Sequence, residues 1–242
     1  MITSPQNPRL RLVRRLQGRR QRERLGLFSC EGEDLVAAAL EAGLEPVELL
    51  VDAERPPELS LALEAEPVEP RLLAEVSTLG HPPRVLAVFR RADLPPLEAD
   101  AAPSVGLALW HVGDPGNVGT LLRAADGLGP AFLALSSGCA DPTGAKALRA
   151  SAGAVFRVPL GHFDDAPSPR IALLAHGGPP LQDAELGART TFVLGAEREG
   201  LPPEVVAACD ATATIPLADS AESLNVAMSG AVALYEWRRR HG

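Results

Sequence analysis

Three short stretches hold the residues whose types could do chemistry. The first, HVGDPGNVGTLLRAADGLG, begins at His111, follows the apolar run VGLALW and opens into a helical pattern. It carries Asn117 and, past glycines at 113, 116 and 119, Arg123. An arginine beside a glycine-bearing turn can hold a phosphate or stabilise a developing oxyanion. Taken alone, it is equally a solvent-facing side chain after a tight turn. The second stretch, VLGAEREGLP, sets Gly195, Glu197 and Gly200 straight after a strand pattern. The third, IPLADSAESLNVAMSGAVALYEW, runs from a strand through a loop into a helix expected from Ser223 to Arg240. Ser220 or Ser223 can cap that helix, and Glu222 suits its positive end. Leu224, Met228 and Val232 follow at helical spacing, an apolar face for core or interface. Asn225, polar in the first turn, is either a cap, a satisfied amide, or a group aimed at a substrate.

The glycine pattern excludes two common nucleotide loops. Its spacing is GxxGxxG, the next strand AFLALS ends in Ser136 and Ser137 with no acid for a ribose hydroxyl, and no GxxxxGK[ST] occurs. A nicotinamide-dependent enzyme is therefore disfavoured, and titration with NADH separates it from the other readings.

The elements that must position these stretches form an α/β chain. After residue 105, strand patterns (VGLALWHV, AFLALS, FRVP, IALLAH, TTFVLG, TATIPL) alternate with helical ones at Gly119 to Leu128, Gly144 to Ala152, Pro202 to Ala208 and the last helix. Apolar strands separated by helices predict a parallel sheet covered on both faces, with ligands beyond its carboxyl edge. The segment GHFDDAPSPR is too short and proline-rich for a full crossover helix. PPLEADAAPS, residues 95–104, lacks periodicity and reads as a linker. Before it, residues 1–94 alternate helix and strand patterns: PRLRLVRRLQ, LFSCEG, EDLVAAALEAG, PVELLVD and RVLAVF. The expected organisation is a small α/β domain at 1–94, a linker at 95–104 and a parallel-sheet domain at 105–242.

Composition narrows the function classes. Hydrophobic residues make up 46% of 242, enough for a sizeable core. No apolar run reaches the ~18 residues of a membrane span, and no signal-peptide pattern follows the N-terminus. Cys30, Cys139 and Cys209 are isolated, which argues for a reducing, cytoplasmic setting and against a structural metal site. The net charge of -8 hides an asymmetry: eight arginines crowd residues 9–24, where Glu23 is the one acid. A basic arm on an acidic chain suggests a polyanion such as RNA. Arg9, Arg14, Arg15, Arg19 and Arg20 are the expected RNA contacts, with a solvated helix face as the bland alternative.

Together the three stretches resemble the motifs of the SpoU/TrmH family of RNA ribose 2'-O-methyltransferases, part of the SPOUT superfamily. NVGTLLRAADGLG looks like the first motif, LGAEREGL the second and IPLADSAESLNVAMSGAVALYE the third, while KALRASAGAVFRVP is similar to the connecting segment. ITSPQNPRLRLVRRLQGRRQRERLGLFSCEG resembles the substrate-binding domain that precedes the catalytic domain in many members. Ser229 and Gly230 stand where alanines are more usual, and the crossover after Pro159 looks shortened. The resemblance implies a deep trefoil knot at the C-terminus, a homodimer with a shared active site, no metal, and S-adenosyl-L-methionine held by backbone groups at Leu135, Gly195, Ile215 and Leu224. It implies that Arg123, Asn117, Glu197, Ser223 and Asn225 act on the substrate.

The reaction implied is an in-line displacement at a methyl already activated by a sulfonium. A guanidinium with a pKa above ~12 is a poor base, so Arg123 is expected to clamp the phosphate beside the target ribose and stabilise its 2'-oxygen. The other four would orient Arg123 and the nucleotide. Large-subunit ribosomal RNA is the expected substrate. Transfer RNA and a non-catalytic RNA-binding relative are the alternatives, separated by incubating RNA with labelled methyl donor.

Overall fold

A computed structural model describes residues 1–57, 64–218 and 220–242 of the chain. Asp219, inside the third motif, lies outside the described residues. The helices α1 (Pro8–Leu16) and α2 (Arg19–Leu25) lead into a four-stranded mixed sheet of β1 (Leu27–Glu31), β2 (Glu48–Asp52), β3 (Glu66–Val68) and β4 (Val85–Arg90), in the order β1-β4-β2-β3. α3 (Glu33–Glu41) follows β1, and α4 (Pro70–Val76) follows β3. β4 runs antiparallel to both neighbours and works on both faces. Leu86 and Val88 face α1 and α4, packing with Leu10, Val13, Leu16, Leu72 and Val76, while Ala87 and Phe89 pack with Phe28 and Val36 on the other side. That second face is continuous with the core of the following domain: Phe28 stacks on Phe156, with ring centroids 6.4 Å apart.

The second sheet is all parallel. Its strands are β5 (Val105–Leu109), β6 (Ala131–Leu135), β7 (Leu160–His162), β8 (Arg170–Leu174), β9 (Thr190–Leu194) and β10 (Ala211–Thr214), in the order β10-β8-β9-β5-β6-β7. β5 and β9 are buried along their whole length, as central strands covered on both faces must be. Among the described residues, four α-helices belong to this domain: α5 (Pro115–Leu128), α6 (Ala145–Ser151), α7 (Pro203–Ala207) and α8 (Val226–His241). Residues 95–104 are docked rather than free. Pro96 pairs with Leu160 beside the edge strand β7, and the Leu97 N–H donates to the Leu160 carbonyl at 2.8 Å.

Several boundaries differ from the sequence pattern, each for a local reason. α5 begins at Pro115, four residues before Gly119, because Asp114 caps it and proline suits the first helical position. α8 begins after Asn225, which takes the capping role expected of Ser220 or Ser223. FRVP does not form a strand. Its apolar residues Phe156 and Val158 are buried, but residues 154–156 wind into a 3-10 turn and pairing with β6 starts only at Leu160. The crossover from β7 to β8 holds a single 3-10 turn, Phe163–Asp165, and no helix, as its length and prolines suggest.

Candidate active site

The chain reverses its order across the sheet at β5 and β9. β6 and β7 lie to one side of this pair, β8 and β10 to the other. Loops leaving neighbouring strands that wind to opposite sides open a crevice at the carboxyl edge. The first two motifs leave from these two strands, and the third enters α8 beside them.

Within the first motif, Asp114 starts α5 by accepting the N–H groups of Gly116 at 2.6 Å and Asn117 at 3.1 Å. Lys146 on α6 reaches its other oxygen at 2.8 Å. The hydrogen bond from Lys146 holds the Asp114 carboxyl below the usual carboxylate range; the two backbone N–H groups add to this, against a contrary effect of burial. Gly119 does not cradle a phosphate. A Cβ there would run into the Ala147 carbonyl and Ala150 on α6, so this glycine lets two helices approach closely.

The three motifs meet through their side chains. Asn225 caps α8, its Oδ1 accepting from Ala227 at 2.9 Å and Met228 at 3.3 Å. Its Nδ2 donates to Asn117 Oδ1 at 3.2 Å, and Asn117 Nδ2 donates to Glu197 Oε1 at 2.8 Å. This relay runs from the third motif through the first to the second. It leaves Glu197 with a second carboxylate oxygen for a ligand.

Two adjoining cavities share Glu197 and Asn225. One, of about 490 Å³, has an apolar floor of Leu173, Leu174, Leu194, Ile215, Leu217 and Leu224, and Gly195 and Ser223 also line it. The size suits one small organic ligand. Glu197, Glu199 and Glu222 outnumber Arg198 around it, which favours a cation over a pyrophosphate. An apolar lining with a surplus of carboxylates fits a nucleoside bearing a sulfonium. The other cavity, about 630 Å³, lies over Asn117, Asp114, Gly113 and His111.

Not every expected residue comes to this site. Arg123 sits six positions after Asn117 on α5, about 120° away around the helix axis, lines neither cavity, and is exposed without a hydrogen-bond or ion-pair partner among the described residues. Leu135 ends β6, two strands from β9, and lines a separate cleft between the domains. The equivalent place by the 490 Å³ cavity is taken by Leu173 and Leu174 at the end of β8, which sequence reasoning missed. No signal in the strand itself marks them, since IALLAH ends as abruptly as AFLALS does. His111 was also missed.

Of the arginines expected to contact RNA, Arg9 is engaged by Glu48 and Glu66, Arg14 by Glu75, and Arg19 by Glu23 and the Cys139 carbonyl. Arg15 and Arg20 are exposed and unpaired among the described residues, as are Arg11 and Arg24. Arg22 is buried and ties α2 to the second domain through Asp141 at 2.8 Å, where Arg91 also pairs at 3.0 Å. Burial alone would raise the Asp141 pKa. The charge of Arg91 and the hydrogen bonds from Thr143 and Arg22 outweigh it and hold the carboxyl below its ordinary value. No helix of the described residues is long and apolar enough to cross a membrane.

An all-parallel sheet with a ligand crevice at its order reversal, preceded by a small α/β domain, defines a two-domain enzyme-like α/β protein. Comparison with known proteins makes this specific. Residues 104–235 match the SpoU rRNA Methylase family, and residues 7–87 match the MRM3-like substrate binding domain. The 23S rRNA (guanosine(2553)-2'-O)-methyltransferase RlmP of Bacillus subtilis is 27% identical over 98% of each chain. The 23S rRNA (uridine(2479)-2'-O)-methyltransferase of Streptomyces viridochromogenes is 31% identical over 91% of this chain and 85% of its own. The crystal structure of an AdoMet-bound rRNA methyltransferase from Sinorhizobium meliloti superposes with a TM-score of 0.85, at 26% identity over 99% of this chain and 97% of that one. The chain belongs to the SpoU rRNA methylase family, with an N-terminal substrate-binding domain of the MRM3-like kind.

Proposed function

We propose that the chain transfers a methyl group from S-adenosyl-L-methionine to a ribose 2'-hydroxyl of large-subunit ribosomal RNA. The observation that carries this reading is the Asn225–Asn117–Glu197 relay, which ties all three motifs together beside an acidic, apolar-floored cavity. Full-length relatives named for 2'-O-methylation of 23S rRNA support the ribosomal substrate. In this proposal backbone groups at Gly195, Ile215, Leu224 and Leu174 hold the cofactor, and Leu135 has no part. The bound cofactor supplies a methyl already activated by its sulfonium.

The chain's own task is then positioning and charge. Asn117, Glu197, Ser223 and Asn225 orient the ribose so that its 2'-oxygen stands in line with the methyl, which supplies much of the acceleration. Arg123 stays charged at any working pH. It clamps the adjacent phosphate and stabilises negative charge on the 2'-oxygen as its proton leaves.

Because Arg123 points away from its own cleft, it serves the site of a second copy. The exposed side chains of Met228, Val232 and Tyr235, at 58%, 39% and 58% exposure, make one stripe along α8, which packs against the helix bearing Arg123. A homodimer through this face, with the knot implied by the motifs, belongs to the same proposal. The free cysteines fit a cytoplasmic setting beside the ribosome.

The test is incubation with labelled methyl donor and unmodified large-subunit ribosomal RNA or transfer RNA, followed by mapping of 2'-O-methylation. Label in ribosomal RNA at one ribose is expected. Label in transfer RNA alone would redirect the substrate, and no label in either RNA would refute the function.

A further inference from the structure

We propose that His111 contacts the RNA, donating from the edge of its imidazole ring to an oxygen acceptor of the nucleotide that enters the cleft. The inference rests on the proposed methyl transfer to RNA and adds a substrate-binding residue to it.

Four observations converge on this side chain. First, His111 has φ 53°, the left-handed region that costs strain in any residue but glycine. Such strain persists only where the surroundings hold it, and it gathers at functional positions. Second, the surroundings do hold it. The backbone N–H of His111 donates to Ser136 Oγ at 2.9 Å. The ring stacks on Trp110, with centroids 4.7 Å apart and planes 10° from parallel. A Cβ on Gly138 would run into ring atoms Cγ, Cδ2 and Nε2, so a residue that must stay small packs against the ring as well. Third, the ring is exposed and its nitrogens have no hydrogen-bond partner among the described residues. With Trp110 and Gly138 packed against the ring, its unpartnered nitrogens are what it offers a ligand. Fourth, His111 belongs to the cleft of about 630 Å³ shared with Asn117, Glu197 and Asn225. A residue placed only to fill the core would not be exposed, and one placed only to make the turn would be glycine.

The fixed ring offers an N–H donor in a preset direction, so little side-chain freedom is lost when RNA binds. An N–H at the site of a polyanion suits a phosphate or base oxygen. The group sits beside Asn117, where the target nucleotide must lie for its ribose to reach the relay.

The test uses the backbone strain as an internal control. Glycine at position 111 suits the observed φ, so His111→Gly should fold and bind S-adenosylmethionine as the wild type does. Loss of the ring edge should raise the half-saturating concentration of unmodified large-subunit ribosomal RNA roughly tenfold, with a smaller change in the rate at saturation. His111→Asn, which tolerates the same φ and keeps a polar edge, should recover part of the loss. A second measurement follows the His111 ring resonances of labelled wild-type protein during titration with that RNA, where they should shift. Wild-type RNA dependence in His111→Gly would overturn the inference, as would ring resonances unmoved at saturating RNA. Absence of methyl transfer by the wild-type protein would instead bring down the proposed function itself.

Discussion

Asn225 does two things at once, and two substitutions separate them. Its Oδ1 caps α8 through the N–H groups of Ala227 and Met228, and its Nδ2 links to Asn117 at 3.2 Å. Asn225→Ala removes both. Loss of a cap of this kind costs about 1 kcal/mol, and the exposed amide bond adds about 0.5 kcal/mol. At ~2–4 °C per kcal/mol for a chain of this size, the unfolding midpoint should fall by about 3–6 °C. Asn225→Ser keeps a hydroxyl that caps as well as an amide does. Its oxygen is about one bond length, ~1.5 Å, shorter in reach, so a contact already at 3.2 Å is lost beyond hydrogen-bond range. The serine variant, which keeps the cap and loses only the link, should therefore unfold about 1–2 °C below wild type, yet transfer methyl roughly 10–100-fold more slowly, because Asn117 and Glu197 lose their fixed orientation. Thermal unfolding and single-turnover methyl transfer with excess enzyme measure the two effects separately. A serine variant with the wild-type rate would remove the relay from the mechanism. A serine variant as unstable as alanine would show that the link, and not the cap, holds the start of α8.

Other expectations follow from the same geometry. Arg123→Ala and Asn117→Ala should each be inactive, but mixing and reassembling them should restore about a quarter of wild-type activity. Half the random dimers are then mixed, and each mixed dimer has one intact site of two; no recovery after mixing would place Arg123 in its own protomer's site. Replacing Arg11, Arg15, Arg20 and Arg24 with glutamine should lower the slope of log RNA affinity against log salt by ~0.7–0.9 per lost contact, whereas the same change at Arg9, Arg14 and Arg19 should leave the slope nearly unmoved; equal effects would contradict the division into free and engaged arginines. Asp141→Asn should destabilise the docking of the two domains by on the order of 3 kcal/mol at pH 7, as breaking a buried pair does. Because the Asp141 pKa is lowered in the fold, its contribution is complete above about pH 4 and is lost as pH falls through the folded-state value, so denaturant unfolding of the two proteins should converge below pH 4.

What could be read in the sequence was local. The loops carrying Gly195, Glu197 and Asn225 were legible because each lies between a strand pattern and a helix pattern. Asn117 was legible for the same reason. Leu135 and Leu174 show the limit. Both end apolar strands of similar length, and only the pairing of β8 with β9 brings Leu174 to the cavity, while β6 lies beyond β5. Strand order is set by the packing of the whole sheet and leaves no mark on a single strand. The arginines show it again. Nothing near Arg9 or Arg14 reveals that Glu48, Glu66 and Glu75 will fold back onto them. His111 was missed because a strained φ has no signature in residue type. Histidine is merely tolerated there, and the glycine that accommodates it stands 27 residues later, at Gly138.

The division of labour among the arginines explains how an RNA-binding domain can serve a site on a different sheet. Arg19 and Arg22, on one helix, bind the Cys139 carbonyl and Asp141, in the loop between β6 and α6. That same loop places Gly138 against the ring of His111, which lines the cleft over Asn117. On the same helix α2, Arg20 and Arg24 stand four residues apart and therefore on one face, turned to solvent. A flexible tether would let captured RNA explore many positions relative to the cleft, and the entropy of choosing one would fall on the reaction. Here the shared core through Phe28 and Phe156, with the buried Arg22–Asp141 pair, fixes the distance from basic helix to cleft before RNA arrives. In the proposed function, phosphates held by the free arginines select the stretch of RNA whose ribose can reach Asn117. The geometry of domain docking then contributes to which nucleotide is methylated, alongside contacts to its base.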